Sequence, residues 1–355
     1  MGKQIDVGSS RCVNISPPHM NGCGVKGVEK SHARNGEFSN RRLPRSRLPV
    51  HVERAILHPM SSTKSPEREG RSLAEGMLLT TTLIWGGTFA ATKVLLDSGM
   101  KPMGLLTWRF GIAALLFLLL FFNRIRKAFD LSILGKGVVL GVLLYAGFGL
   151  QTVGLGFTSS SRSGFITALY VVITPLLQIF IGRSLPGKRV WLSVGLVTIG
   201  LWLLTSPAEG GMAGFNTGDL LTLGCAVSFA LYIIVLDRFG GEGDVIALTG
   251  LQLLVVAICC TLHNLLSEPW TSPSTSTDWS MILFLALLAS VFTTWCQTNF
   301  QPRTTPGRAA IIYTMESVFA AIIGIALLGE HLGTSGFLGG GLIVGGLLLV
   351  EVSRD

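Results

Sequence analysis

Charge is what this sequence has least of. Only 14% of its 355 residues are Asp, Glu, Lys or Arg, where a soluble globular domain carries about 25%. That shortage excludes most soluble enzyme classes. Catalytic signatures are missing as well. No G-x-x-x-x-G-K-[ST] phosphate loop is present, which argues against ATP-driven transport in cis, and neither H-E-x-x-H nor G-x-S-x-G occurs. After residue 76 the only histidines are His263 and His331, both at the ends of apolar windows, so an intramembrane enzyme lacks a polar constellation to work with. Cysteine is sparse: Cys225, Cys259, Cys260 and Cys296 sit in apolar stretches, where Cys behaves as a small hydrophobe. Cys12, His19, Cys23 and His32 fit no standard zinc spacing. No metal and no cofactor is expected.

What is abundant is apolar residue, at 49%, together with 44 glycines. The net charge of +8 suggests nucleic acid until it is located. Residues 1–76 hold 13 Lys/Arg against 7 Asp/Glu, leaving 15 against 13 for the rest of the chain. The basicity therefore belongs mostly to a tail, and no nucleic-acid partner is expected. That tail is rich in Ser, Arg, Pro and Gly without apolar periodicity, and reads as disordered. It has three readings: a cytoplasmic extension, a start codon placed too early with Met77 as the true start, or a transit peptide. Glu29, Glu37, Glu53, Glu67 and Glu69 are too many acids for the last.

From Met77 onward ten apolar windows follow, at 77–97, 103–122, 136–157, 163–182, 188–205, 218–236, 245–265, 279–299, 308–328 and 335–351. Each is about long enough to cross a hydrocarbon core of roughly 30 Å at 1.5 Å per residue. With the N-terminus inside, Arg124, Arg126, Lys127, Lys136, Arg183, Lys188, Arg189, Arg238, Arg303, Arg308 and Arg354 share one side, and only Lys101 and Arg162 face the other. This positive-inside bias predicts a multi-pass protein of the cell (plasma or inner) membrane with both termini cytoplasmic.

The chain also repeats itself. Sliding residues 151–204 onto 297–350 pairs Gln151-Thr152 with Gln297-Thr298 and Arg162 with Arg308, besides nine apolar or glycine identities. Leu83, Phe89, Ala90, Leu96 and Asp97 similarly meet Leu223, Phe229, Ala230, Leu236 and Asp237. The expected fold is all-α and integral to the membrane: ten helices as two five-helix repeats, 77–206 and 218–352. Five is odd, so the second copy enters the bilayer upside down. Inverted repeats are an architecture of secondary transporters, whose substrate site lies at the midplane.

Several motifs now point to a family. Trp85-Gly86-Gly87-Thr88-Phe89 with Lys93, Arg109-Phe110, the run Phe165 to Leu176, and Glu316-Ser317-Val318-Phe319-Ala320-Ala321 followed by Gly329-Glu330 come in order. In that order the chain resembles the EamA type of the drug/metabolite transporter superfamily over about 77–352. Glu316-Ser317-Val318 stands where that family often has Glu-Pro-Val, and Gly182-Arg183 where it often has Gly-Glu. The resemblance implies ten helices, export of small metabolites, amino acids or drugs, and no ATP.

Candidate site residues follow from chemistry. Glu316 lies mid-window, where insertion scales charge about 2.5–3.5 kcal/mol for an ionised acid, so a coupling or proton-relay role competes with a neutral Glu bonding between helices. Arg109 is either an anion-binding group or a side chain that snorkels or pairs with Asp97. Lys93, nearer a helix end, is expected to snorkel. Trp85, Tyr170 and Tyr313 are candidate aromatic cavity walls, with plain packing as the alternative. Gln151, Gln297 and Asn299 bind polar substrate groups or join helices. Arg162 and Arg308 are gate charges or interfacial anchors, and the anchor is favoured. Pro175 frees a carbonyl and is expected to kink its helix. Gly336, Gly340, Gly341, Gly345 and Gly346 fit small-xxx-small packing, within the chain or at a homodimer contact. The reading that results is a secondary carrier exporting a small polar or amphipathic metabolite by alternating access, with lipid, substrate and protons as partners. The alternatives are a sugar-phosphate or nucleotide-sugar antiporter of the same superfamily, and a membrane scaffold without transport.

Overall fold

The computed structural model describes residues 68–158, 160–181, 187–205, 216–239, 243–328 and 334–352. The N-terminal tail up to residue 67, with Cys12, His19, Cys23 and His32, lies outside them. So do Arg183, His331 and the Gly329-Glu330 motif.

Everything described is helix and short connection. The helices are α1 (Arg68–Gly86), α2 (Thr88–Asp97), α3 (Pro102–Ala128), α4 (Leu131–Leu155), α5 (Ser160–Ala168), α6 (Tyr170–Phe180) and α7 (Lys188–Thr205). They continue with α8 (Thr217–Phe239), α9 (Val245–Ser267), α10 (Ser276–Ala286), α11 (Thr293–Phe300), α12 (Pro306–Tyr313), α13 (Met315–Leu328) and α14 (Thr334–Val352). A π-helical turn, Leu287–Phe292, joins α10 to α11. These segments form ten rods among the described residues, one for each apolar window. The first rod starts earlier than its window: α1 begins at Arg68, so the residues just before Met77 are helical. Five rods, α3, α4, α8, α9 and the α10–α11 rod, are long and apolar enough to cross a membrane by length and composition.

Local chemistry sets the ends. Asp130 caps α4 by accepting from the Ile133 amide at 2.6 Å. Asp244 caps α9 through Ile246 and Ala247. Thr275 and Asp278 form a reciprocal capping box on α10. Pro102 and Pro306 open α3 and α12, where their missing N–H is not needed. The Asp and Thr caps satisfy amides that the first turn of a helix leaves without partners.

Four rods are interrupted. At Gly87, Leu169 and Thr314 the backbone stays in the right-handed helical region, but the ladder tightens. Gly87 bonds back to Ile84, Leu169 to Ile166 and Thr314 to Ile311, each a three-residue step. The rods thus break their regular ladder while these amides stay bonded. The fourth break is the π turn. Pro175 lies within α6, which runs on through it to Phe180; the break falls earlier, at Leu169.

The repeat is visible in these breaks. The offset that pairs Arg162 with Arg308 carries the break at Leu169 to within one residue of the break at Thr314. The halves interleave: α3 packs on α9, α4 on α8 and α9, α7 on α14, α1 on α13, and α6 on α8. One apolar core joins α3, α4, α8, α9 and α10; a second joins α1, α6, α7, α8 and α11 to α13. Large apolar side chains such as Leu120, Phe180, Leu266 and Phe337 remain exposed, as lipid-facing residues do.

Candidate functional site

Three of the four interruptions place the aromatic candidates Trp85, Tyr170 and Tyr313 at helix ends. Trp85 precedes the Gly86-Gly87 pair. Gly87 is the hinge residue between α1 and α2. Gly86 allows close approach: a Cβ there would lie 2.8 Å from Phe319 Cβ and 2.9 Å from the Ala320 nitrogen. The glycine therefore seats α1 against α13, one turn after Glu316. The Trp85 and Tyr313 rings pack at 5.3 Å, tilted by 55°. Tyr170 begins α6 and Tyr313 ends α12.

Glu316 lies in the first turn of α13 and is half-buried. It makes no hydrogen bond or ion pair with the described residues. No salt bridge joins it to Arg109. Tyr170 packs in one buried cluster with Tyr313 and Met315, the residue before Glu316.

Arg109 neither snorkels nor pairs with Asp97. It is 3% exposed, while Asp97 pairs with Lys93 at 3.0 Å on an exposed face. Arg109 instead reaches the π turn: Nε donates to Ser290 Oγ at 2.8 Å and Nη2 to the Ala289 carbonyl at 3.1 Å. Its guanidinium also lies 4.6 Å from the Phe148 ring centroid and 5.0 Å from that of Phe110. A π turn widens the ladder and leaves carbonyls to be satisfied. Ser290 Oγ donates to the Leu285 carbonyl at 2.8 Å, so Ser290 and Arg109 together close this one. A guanidinium has five N–H donors, and two of them are used here.

Of the amide candidates, Gln151 bridges two helices, while Gln297 and Asn299 bond within their own rod. Gln151 donates to Thr167 Oγ1 at 3.3 Å, linking α4 to α5. Gln297 donates to Gln301 Oε1 at 3.1 Å, and Tyr313 donates to the same oxygen at 3.2 Å. Gln301 in turn donates to the Ile233 carbonyl at 2.7 Å. Asn299 accepts from Arg303 on the surface. The hydroxyl of Tyr313 is thus committed, whereas the Tyr170 hydroxyl and the Trp85 Nε1 are buried without a partner.

Arg308 departs from the anchor reading. It is 6% exposed and its Nη1 meets Glu75 Oε1 at 3.4 Å. Glu75 also accepts from Thr304 at 3.3 Å and from Arg71 at 3.0 Å. A snorkelling arginine needs a path to water, and here the start of α1 covers it. The Arg162 side chain lies outside the described residues. Of the α14 glycines, Gly346 packs on Val197 and the Ser193 carbonyl, while Gly340, Gly341 and Gly345 face open space.

Sequence reasoning missed Glu75, Ser290, Gln301, Thr174 and Gln178. Glu75 had a weak signal, since it stands one helical turn after Arg71 just ahead of an apolar run. The pairing of Arg109 with a π turn has no sequence signal, because it joins residues 181 positions apart. Among the described residues no cluster of His, Cys, Asp and Glu could hold a metal.

A ten-rod, interleaved helical membrane protein with an unbonded acid and unpartnered polar groups at its helix breaks belongs to the class of polytopic transporters. Comparison makes this specific. The EamA-like transporter family matches twice, at residues 72–206 and 216–352, and the chain belongs to that family. An "Uncharacterized transporter" of Archaeoglobus fulgidus is 32% identical over 79% of this chain and 87% of its own length. The "Uncharacterized inner membrane transporter YedA" of Escherichia coli K12 is 24% identical over 79% of this chain and 90% of its own. A solved structure superposes with a TM-score of 0.64 at 19% identity, covering 79% of this chain and 97% of its own, which shows a shared fold.

Proposed function

We propose that this protein is a secondary carrier that exports a small polar or amphipathic metabolite, amino-acid-like or drug-like, by alternating access between two inverted five-helix halves. One observation carries the reading. Glu316 is an acid inside a membrane-spanning segment, half-buried, with no hydrogen-bond partner among the described residues. Such a group is costly to keep, and a merely structural Glu would be bonded to a neighbouring helix. In this reading Glu316 exchanges a proton or meets a cationic group of the substrate. Arg109 supplies the opposing charge from the π turn, and Trp85 and Tyr170 offer a ring face and a free donor each. The two family matches and the repeated helix break support two equivalent halves. The name of the Escherichia coli relative and the positive-inside bias support a cell-membrane location with both termini cytoplasmic.

The sugar-phosphate reading wants several inward-facing cations. Lys93 is spent on Asp97 at the surface and Arg308 is engaged with Glu75, which favours the first reading.

The test is untargeted extracellular metabolite profiling of cells expressing the full chain, beside empty vector and Glu316→Gln at equal membrane levels. A compound enriched outside by wild type and lost in Glu316→Gln identifies the substrate and the coupling acid together. Enrichment that persists in the variant assigns Glu316 to structure. No enrichment, followed by no uptake, overturns the carrier reading in favour of a scaffold.

A further inference from the structure

Helix α6 carries three polar side chains four residues apart: Tyr170, Thr174 and Gln178. Four-residue spacing puts them on one face. They are 3%, 0% and 8% exposed, and the Tyr170 hydroxyl, Thr174 Oγ1 and Gln178 Oε1 all lack a hydrogen-bond partner. Buried polar groups are nearly always bonded, to protein or to ordered water. One orphan is unremarkable, but an edge of three in register on a single helix is a pattern.

Thr174 makes the pattern sharper. Five buried helical threonines among the described residues, Thr81, Thr222, Thr249, Thr293 and Thr298, turn their hydroxyl back onto the carbonyl four residues earlier, at 2.7–3.2 Å. Thr174, like Thr107 on α3, does not. Its neighbour Pro175 has no N–H, so the Val171 carbonyl loses its ladder donor on the same stretch of helix. The edge thus offers side-chain and backbone acceptors together.

Both ends of the edge meet features already described. Tyr170 shares one buried cluster with Tyr313 and Met315, the residue before Glu316. Gln178 lies against the start of α12: its Oε1 is 3.8 Å from where a Cβ on Gly307 would stand. The next residue is Arg308, held by Glu75. Four residues of helix rise about 6 Å, which one water spans with two hydrogen bonds of about 2.8 Å each.

We propose that the Tyr170–Thr174–Gln178 edge of α6 is a hydrated lane, a file of water running from Glu316 to the end of the molecule where α12 begins, and that the Glu75–Arg308 pair closes it there. Water satisfies the three orphaned side chains and the Val171 carbonyl, and gives the Glu316 carboxylate contact with one aqueous side. The carrier reading above gives that side its name, cytoplasmic; the lane itself rests only on the geometry.

The experiment is cysteine labelling of the full chain in sealed vesicles of both orientations. The native cysteines are replaced first, and the background variant is checked for wild-type thermal stability. Single cysteines replace Thr174 and Gln178, with Leu176 and Ile179 on the exposed face of α6 and the buried apolar Val171 as controls. The probe is a charged, membrane-impermeant methanethiosulfonate. Its target is the thiolate, which forms poorly in apolar surroundings, so the lane positions should react at least about tenfold faster than all three controls. Reaction at 178 should exceed that at 174 when the probe meets the α12-start side, and Glu75→Gln should accelerate both. Equal rates at lane and control positions, or access to 174 only from the opposite side, overturns the lane. Should the cysteine-free background misfold, Thr174→Val in the native chain decides the matter. A dry seam loses an unsatisfied hydroxyl and gains thermal stability, whereas a water file loses a bonded member and does not. None of these readouts needs a transported compound, so failure of the lane and failure of the carrier reading are separable.

Discussion

Helices α6 and α8 pack against each other and treat their buried polar groups in opposite ways. In α8 every one is closed. Asp219 and Asn216 exchange amide bonds at 2.9 and 3.0 Å, and Thr222 donates to the Gly218 carbonyl. Ser228 donates to the Leu143 carbonyl, and Tyr232 donates to Gln252, which also reaches Thr298. In α6 Tyr170, Thr174 and Gln178 are all open. Burial and residue type are alike in the two helices; the presence of partners differs. Closed polar groups specify how helices sit against each other, while open ones wait for something that the protein itself does not provide. The lesson for reading a membrane protein is that a buried hydroxyl or amide marks a working site only when its neighbours leave it unbonded.

The largest effect expected from disturbing the closed kind is at Arg308. Arg308→Met strips one cation from the buried Glu75 carboxylate, which keeps Arg71 at 3.0 Å and Thr304 at 3.3 Å. Breaking a buried ion pair outright costs about 3–5 kcal/mol, whereas replacing both members is nearly neutral, so with Arg71 in place the loss should fall at or below the lower end of that range. Thermal stability in detergent should therefore drop for Arg308→Met and recover for Arg308→Met combined with Glu75→Leu. A single variant as stable as wild type would show that the pair is not a closed unit.

Next comes Gly86. Gly86→Ala drives a Cβ into the backbone of α13, which cannot swing aside as a side chain tip would. Overpacking of this kind costs about 1–3 kcal/mol. It should lower thermal stability and, because α13 carries Glu316, also weaken transport. A wild-type melting curve would mean that α1 and α13 are further apart than described.

Tyr232→Phe probes α8 more gently. It removes the hydroxyl that donates to Gln252 Oε1 at 2.8 Å. Interhelical hydrogen bonds in membranes average about 0.6 kcal/mol, so a melting shift of a degree or two, with transport retained, is expected. Loss of transport at unchanged stability would move α8 into the working site and dissolve the contrast with α6.

The smallest effect is at a helix start outside the apolar rods. Partial burial pushes the Asp244 carboxyl up, but the Arg124 hydrogen bond, the Ala247 and Ile246 amides and the Arg124 charge outweigh it and hold the carboxyl below its ordinary 3.8. A carboxyl lowered on folding contributes stability above its unfolded value and loses it as pH falls through the folded one. Hydrogen exchange at Ile246 and Ala247 should quicken as pH drops below about 4, after correction for intrinsic rates. In Asp244→Asn that pH dependence should vanish. A pH-independent profile in the wild type would deny the cap its charge.

Much of the architecture was legible beforehand. Ten apolar windows became ten rods, because a bilayer demands long apolar segments with their backbone satisfied internally. The window at 188–205 coincides with α7. The Gly86-Gly87 pair was legible as a motif, but the work it does, one glycine for close approach and one for a break, was not. Gln151 and Gln297 could be read two ways; their bonds to Thr167 and Gln301 were not legible in the sequence. Arg109 was misjudged on its alternative partner, since Asp97 is twelve positions away in sequence but engaged with Lys93 on its own helix. The reach of Arg109 to Ser290 depends on how α3 lies across the π turn, and nothing local encodes that.

Sequence alone determined the solvent of this protein, its ten crossings, its duplication and its family. Those follow from hydropathy, periodicity and repeated polar residues, which are properties of neighbours along the chain. Tertiary structure decided which polar groups are spent and which are free. Whether Tyr170 or Tyr313 keeps an unbonded hydroxyl, and whether Arg308 faces water or Glu75, depends on which helices meet. A hydrogen bond needs its partner within about 3 Å, and only packing brings residues so far apart in sequence that close.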